Sequence, residues 1–301
     1  METTFMPVSR PPLSDRLRCQ LVGCLPQHAV SRLVLRLTRV RNRAWIPVAR
    51  WFTARFGVDL DEAEAPDLHA YEHFNAFFTR ALRPGARPQQ GPPDTLTSPV
   101  DGRVSQMGTV ASGRLLQAKG IDYSLADLLG GEAELAARLD GHGFATLYLA
   151  PGDYHRIHMP LTGRLRRMTY VPGRLYSVAD WTVRALPGVF TRNERVCCLF
   201  DTDRGPLVLA LVGAINVAAI ETVWAGVVTP PRGRRVAHWE YDGPAAPRLG
   251  RGDEMGRFNM GSTVIVVAPA GYRWSPVREP GDRVRVGEAL APPPDSKGNP
   301  R

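Results

Sequence analysis

Three short stretches carry side chains able to do chemistry. Residues 98–102 (SPVDG) contribute Asp101, residues 153–160 (DYHRIHMP) contribute His155 and His158, and residues 256–267 (GRFNMGSTVIVV) contribute Ser262 directly after Gly261. An acid, a base and a hydroxyl are the parts of a nucleophilic relay, in which the base activates a weak nucleophile and the carboxylate orients the base. Each stretch also has a structural explanation. Asp-Gly suits a turn. Histidines three apart share a face on a helix but point to opposite sides of a strand, so their spacing defines no metal pair. Gly-Ser-Thr before a β-branched run is a common strand start. The sequence does not say whether the three are neighbours in space.

Lysine supply narrows the chemistry. The chain has two lysines, Lys119 and Lys297, among 38 basic residues. A pyridoxal-phosphate Schiff base would have to use Lys119, because Lys297 lies in a tail that reads as disordered. The glycine-punctuated tail 281–294 reads as a last pair of strands in a small barrel, like that of a biotin or lipoyl carrier, but it lacks the carrier's lysine. Amine chemistry here needs a carbonyl from elsewhere.

The positioning elements divide the chain in two. Residues 10–56 hold ten arginines and one acid, Asp15, so this segment carries the whole net charge of +9 on 301 residues. It reads as two or three amphipathic helices. Val30, Leu33, Val34 and Leu37 follow the helical spacing, and a further helix beginning near Pro47 places Trp45, Ala49, Phe52 and Phe56 along one side. Arginine-rich faces beside Trp and Phe suit either a helical hairpin packed on the body or a helix lying in a membrane interface. An acidic connector (59–67), a short helix (71–82) and a Pro/Gly-rich crossing loop (83–94) follow. From residue 96 short apolar runs alternate with turn signals, which predicts a mainly β body with one or two helices near 125–139. The apolar run 207–228 is long enough to span a bilayer, but Asn216, Glu221 and its glycines favour two or three buried strands. Cys19, Cys24, Cys197 and Cys198 form no ladder and no CxxC, and fit reduced thiols better than a disulfide framework or a zinc site. Charged residues interrupt the N-terminus where a signal peptide would need an apolar stretch.

The ordered set FNAFFTRALRPGARP, SPVDGRV, YLAPGDYHRIHMP, YVPGRLYSV, FTRNERV, VGAINVAAIETVWAG and GRFNMGSTV resembles the bacterial membrane-associated phosphatidylserine decarboxylases over about residues 25–290. One departure is Met260, where the family usually has leucine; the two are similar in volume and the reacting bonds lie at Gly261 and Ser262, so activity is expected to survive. The resemblance implies an α+β fold: a basic, helical membrane-docking region over 1–62 and a mainly β, barrel-sandwich-hybrid-like catalytic domain over 63–301. It implies self-cleavage between Gly261 and Ser262 into a β chain (1–261) and an α chain (262–301), driven by an Asp101–His158–Ser262 relay. Ser262 would become, through an ester and a dehydroalanine, an N-terminal pyruvoyl group, a covalent pyruvate cofactor that forms a Schiff base with phosphatidylserine. His155 would protonate the carbon that loses CO2, and no metal would be needed.

The same resemblance implies phosphatidylserine and an anionic membrane surface as partners, a homodimer, no nucleic acid, and a peripheral location on the cytoplasmic side of the cell membrane. A diacyl substrate does not leave a bilayer readily, since each buried CH2 contributes about 0.8 kcal/mol, so the enzyme must come to the membrane. Arg192 and Arg195 are candidates for the headgroup. Two other readings compete: an Asp-His-Ser hydrolase or peptidase, which would leave the chain intact, and a basic nucleic-acid-binding protein, which would bind through phosphates with steep salt dependence.

Overall fold

The computed structural model describes residues 11–118, 120–215, 219–229, 235–275 and 278–294. Both lysines fall outside these residues. Three helices open the chain: α1 (Leu13–Cys24), α2 (Gln27–Thr38) and α3 (Trp45–Phe56). The first two are inverted. α1 buries Asp15 and Cys19 and exposes Leu13, Leu17 and Leu21. α2 buries Gln27 and Ser31 and exposes Leu33 and Leu37, the stripe that the spacing singled out. Buried Gln27 explains the inward polar face: its Oε1 accepts from Leu175 N–H at 2.9 Å and its Nε2 donates to Val22 O at 2.8 Å.

α3 packs conventionally. Ile46, Ala49 and Phe52 are buried, Trp45 is half-buried, and Phe56 stays exposed. Phe52 lies at the centre of an aromatic cluster, with its ring centroid 5.4 Å from Phe74, 6.2 Å from Phe77 and 6.0 Å from Phe78. Those three belong to α4 (Phe74–Phe78), the short core of the helix expected over 71–82. Edge-to-face pairs of this kind add to area burial. They bind the arm to the segment that leads into the body.

The body is β-rich, and its main sheet is antiparallel. Its order is Ala237–Glu240, Gly163–Val171, Arg195–Thr202, Gly205–Val212, Thr263–Val267, Gly143–Tyr148, Gly102–Thr109 and Arg283–Val284, with Arg248–Leu249 also pairing with Gly163–Val171. Thr263–Val267 is central and buried along its whole length, as its unbroken β-branched run requires. A second sheet runs Gly226–Val227, Ile220–Thr222, Glu254–Phe258, Arg156–His158. The chain leaves this small sheet at Phe258 and enters the centre of the large one at Thr263. Gly261 and Ser262 lie in that crossover.

The α+β class holds, while the barrel expected of the tail does not close. Arg283–Val284 adds an edge strand beside Gly102–Thr109, and Ala289–Ala291 pairs separately with Leu96–Thr97. The tail is therefore spent on two sheets and cannot join the far edge at Ala237–Glu240. Within 207–228, Gly205–Val212 and Ile220–Thr222 are strands, Gly226–Val227 is an exposed third, and residues 216–218 lie outside the described set. Among the described residues no helix is long and apolar enough to cross a membrane. Two short helices, Leu125–Leu128 and Ala133–Arg138, occupy the predicted place. Asp180–Ala185 and Val189–Arg192 are further helices that the sequence reading missed, too short for a clear 3.6-residue period.

Truncating Phe52 to Ala removes the hub between α3 and α4. Phe52→Ala is expected to destabilise the fold by about 3–5 kcal/mol, measured by denaturant unfolding, with an exposed control such as Arg50→Ala near zero.

Candidate active site

Ser262 is fully buried, and its Oγ has no hydrogen-bond partner among the described residues. Its backbone is fixed: Leu149 N–H donates to Ser262 O at 2.9 Å, continuing the ladder in which Thr263 pairs with Tyr148 and Val212. Two residues upstream, Met260 has φ = 138°, a region that costs a side-chain-bearing residue of the order of 1–3 kcal/mol. The backbone is thus strained one residue before Gly261. Gly261 itself is uncrowded: a methyl group built on its Cα would make only ordinary contacts, 3.5 Å from His155 Nε2 and 3.5 Å from Leu149 O.

His155 is fully buried on the segment opposite Phe258, whose N–H donates to His155 O at 3.0 Å. His155 Nδ1 lies 2.7 Å from Asp153 O, an acceptor, so Nδ1 carries the proton and Nε2 bears the free lone pair. That Nε2 is unpartnered and faces Gly261. The Phe78 ring packs on the imidazole at 4.2 Å. Burial withholds water from the charged form and pushes the His155 pKa down to about 3, so the ring is neutral at physiological pH.

His158 ends the strand Arg156–His158, opposite Glu254 and so further from Ser262 along the ladder. Its Nδ1 donates to Gly252 O at 2.7 Å and its Nε2 accepts from Tyr154 O–H at 3.0 Å. Burial lowers its pKa as well, opposed by the hydrogen bond to Gly252 O and then by the charges of Glu254 and Asp101. Asp101 is nearby through the backbone, since His158 N–H donates to Pro99 O at 2.8 Å. Its carboxylate, however, is taken up by Arg87 (Nε at 3.0 and 3.1 Å, a terminal nitrogen at 2.6 Å) and by Val286 N–H at 2.8 Å. Burial alone would lower the Arg87 pKa, but Asp101 and Glu62 outweigh it and raise it. The Asp-Gly pair is not a simple turn: a Cβ on Gly102 would lie 2.3 Å from Tyr148 O, so only glycine lets this strand pack where it does.

The structure therefore brings His155 against the Gly261–Ser262 bond and gathers Asp101 and His158 in one neighbourhood, with no direct hydrogen bond joining Asp101, His158 and Ser262 to one another. Sequence reasoning missed Tyr154, which occupies His158 Nε2, and Arg87, which clamps Asp101; both sit inside the quoted motifs, but only contact geometry reveals their partners. Of the two headgroup candidates, Arg195 is excluded. It is buried, with its guanidinium spent on the carbonyls of Leu128, Thr191, Asn193 and Asp127. Arg192 is exposed at the end of a short helix.

An apolar cavity of about 310 Å³ opens against the crossover, lined by Met260, Gly261, Leu149 and Val178 of the body and by Phe52 and Phe56 of the arm. Next to Gly261 on its wall, a buried hydroxyl and a neutral imidazole with a free lone pair form a set chemically fit for converting Ser262 into a carbonyl-bearing group. Ser262 and His155 are both fully buried, and the strand that would carry the group is held on both sides.

The sequence model of the phosphatidylserine decarboxylase family matches residues 74–292. Relatives include the phosphatidylserine decarboxylase proenzyme of Pseudomonas aeruginosa strain LESB58, 53% identical over 94% of this chain and 99% of the relative. Those of Alkalilimnicola ehrlichii and Marinobacter nauticus are 53% and 51% identical over 84% and 88% of this chain, covering 88% and 93% of their own lengths.

The buried imidazoles set a pH dependence. An unfolded histidine takes up a proton near 6.5, whereas folded His155 refuses it until about 3. Across that window the unfolded state binds more protons, so stability falls as pH falls. Melting temperatures measured between those limits are expected to drop more steeply for the wild type than for His155→Gln, the difference approaching one proton; equal slopes would contradict a neutral buried His155.

Proposed function

The chain belongs to the phosphatidylserine decarboxylase family, a carboxy-lyase made as a proenzyme that converts phosphatidylserine to phosphatidylethanolamine and CO2, and we propose that it works through a pyruvoyl group made from its own Ser262. The observation that carries this reading is the buried, unpartnered Ser262 Oγ beside a strained Met260 and an open Gly261. Ser262 Oγ attacks the Gly261 carbonyl carbon, the C–N bond to residue 262 breaks, and the hydroxyl proton passes through a base to the freed nitrogen. Elimination of the resulting ester and hydrolysis, with loss of ammonia, leave a carbonyl at position 262.

We assign the base to His158, oriented by Gly252 O, with Asp101 close behind it on the segment that its backbone N–H binds. His158 is neutral and holds its Nδ1 proton on Gly252 O, so exchanging Tyr154 O–H for Ser262 O–H at Nε2 would put it to work. The Asp101 carboxylate, although paired with Arg87, works against the burial that lowers the His158 pKa and so favours the imidazolium. Release of strain at Met260 favours the forward direction.

The pyruvoyl group supplies a ketone for the substrate amine and an electron sink for the bond that loses CO2. Around it, Leu149 N–H donates to the carbonyl of residue 262 and polarises it where charge accumulates. His155 Nε2, which faces Gly261, passes a proton to the former α-carbon; burial disfavours its charged form and makes it a strong donor once the bound substrate has protonated it. Phe52, Phe56 and Phe78 keep the cavity dry.

We further propose that residues 1–62 dock the enzyme peripherally on the anionic cytoplasmic face of the cell membrane, with 63–301 as the catalytic domain. Leu21, Leu37 and Trp51 are 70%, 62% and 61% exposed beside the arginines of the same helices, so the arm presents an apolar face and a cationic rim outward. Phe52 and Phe56 carry the arm to the mouth of the cavity, which puts lipid entry on the docked side. Sedimentation of the processed enzyme tests the homodimer that the family resemblance implies.

Intact mass spectrometry of the purified protein is expected to show a fragment of residues 262–301, about 4.4 kDa by its share of the chain, starting with a pyruvoyl group. Ser262→Ala, Asp101→Asn and His158→Ala should remain single chains, while His155→Ala should process and lose turnover. A hydrolase would stay intact, and a serine at the new N-terminus would overturn the scheme. Met260→Gly relieves the strain and should slow processing about tenfold or more, followed by gel densitometry.

Replacing Leu21, Leu37 and Trp51 together by Ser should weaken binding to phosphatidylglycerol vesicles on the order of a hundredfold, since each buried side chain contributes about 1.5–3 kcal/mol and interfacial burial is partial. Unchanged co-sedimentation, or tighter binding to nucleic acid than to vesicles, would refute the docking role.

A further inference from the structure

A second cavity, about 430 Å³, lies on the other side of α4 and shares no lining residue with the apolar one. Four arginines reach it: Arg39 at the end of α2, Arg80 just after α4, and Arg156 and Arg257 on the small sheet. Three are matched by acids. Arg39 and Arg257 bind Glu221 at 2.9 and 2.7 Å, and Arg156 binds Glu254 at 2.8 Å. The exposed Glu64 also lines the cavity but makes no ion pair among the described residues.

Arg80 is the exception. It is 5% exposed, has no carboxylate partner among the described residues, and leaves its Nε without a hydrogen bond. Its single hydrogen-bond contact is a terminal nitrogen 3.5 Å from Gly152 O, at the limit of a hydrogen bond and on the side of a neighbouring cleft that Arg80 also lines, and its guanidinium lies 5.9 Å from the centre of the Phe77 ring. A guanidinium does not shed its proton, so a buried one without a counter-ion is among the costliest arrangements in a folded chain. Beside it, buried Asn75 donates to Asn259 Oδ1 at 2.7 Å but leaves its own Oδ1 unpartnered. The cavity therefore has on its wall a cation with an unspent Nε–H donor for an anion, and beside it an acceptor for a neighbouring hydroxyl.

We infer that this cavity binds a phosphate ester bearing a hydroxyl near its phosphate, with Arg80 as the buried anchor. The inference does not rest on the pyruvoyl chemistry. Two sources share that ligand chemistry: the glycerol-phosphate headgroup of a bilayer lipid, and a free phosphate compound. Arg39 caps the helix whose Leu33 and Leu37 face outward, so the cavity adjoins the surface assigned to the membrane and a lipid headgroup is the better-placed source.

The test is the melting temperature of the full protein in detergent, at constant ionic strength, titrated separately with inorganic phosphate, sn-glycerol 3-phosphate and dioctanoyl phosphatidylglycerol, with sodium acetate as a control. A saturable rise is expected with the glycerol phosphates and none with acetate. Saturation by the soluble compounds assigns the site to a free anion, and saturation by the lipid alone assigns it to a headgroup; either supports the shared chemistry. Arg80→Gln should raise the half-saturating concentration at least about tenfold, with Arg80→Lys intermediate. Should Arg80→Gln fail to fold, Ala76→Glu places a carboxylate on the cavity wall and should abolish the response while leaving a folded chain. No saturable rise with any phosphate compound, or an undiminished response in the folded variants, overturns the inference. Because the readout is melting, neither processing nor decarboxylation enters it.

Discussion

The hydrogen bond from Leu149 N–H to the carbonyl of Ser262, 2.9 Å long, is the constraint around which the site is built. It registers residue 262 at the end of a central strand that is paired along five residues with Gly205–Val212 on one side and Gly143–Tyr148 on the other. A strand so placed cannot shift to relieve its neighbours. The distortion of the crossover from the small sheet is left to Met260, whose φ of 138° absorbs it. Strain beside the reacting bond thus follows from joining a short edge sheet to the middle of a long one within four residues. The unbroken TVIVV run sets this geometry, and GRFNMG has to comply with it.

Burial then decides the protonation states. His155 is enclosed between Phe78, Asp153 O and Gly261, and no solvent is available to support a charged ring. A neutral imidazole with a fixed Nδ1 proton has one free lone pair, and the backbone aims it at Gly261. His158 is held the same way by Gly252 O, with Tyr154 O–H on its second nitrogen. Two histidines three residues apart on one β segment point in different directions, which is why one motif serves two places. Residue types alone could not divide these roles. The division comes from which backbone carbonyl each Nδ1 meets.

What was legible in the sequence was whatever depended on local pattern. The buried strands, the helical arm and the start of a strand at Ser262 follow from alternation, spacing and motif. What was not legible depended on partners far along the chain. Arg195 looked like a headgroup ligand by type, yet four backbone carbonyls consume it. The tail looked like a barrel because its valines alternate, but its strands are claimed by Gly102–Thr109 and Leu96–Thr97 before any closure is possible. The stripe Val30, Leu33, Val34, Leu37 marked a helix correctly without revealing that its leucines face away from the protein. Periodicity reports that a helix has two faces and is silent on which one meets the body. Gln27, bonded to Leu175 N–H, settles that here.

The ion network around Asp101 bears on how a processed enzyme could stay assembled. Glu62 binds Arg87 at 2.7 Å and Arg285 at 2.8 Å, Arg87 binds Asp101, and Asp101 accepts from Val286 N–H. Glu62, Arg87 and Asp101 precede the proposed scission, whereas Arg285 and Val286 follow it. The Asp101 carboxylate is therefore oriented by groups from both prospective chains. Exposed ion pairs contribute little, but Arg87 and Asp101 are largely buried, and losing one partner would strand the other. The later chain is also held by strands in two sheets, at Thr263–Val267, Arg283–Val284 and Ala289–Ala291. Cutting at Gly261 opens one covalent bond in the crossover and leaves these contacts in place. The fold can thus accept the loss of backbone continuity at the proposed scission point.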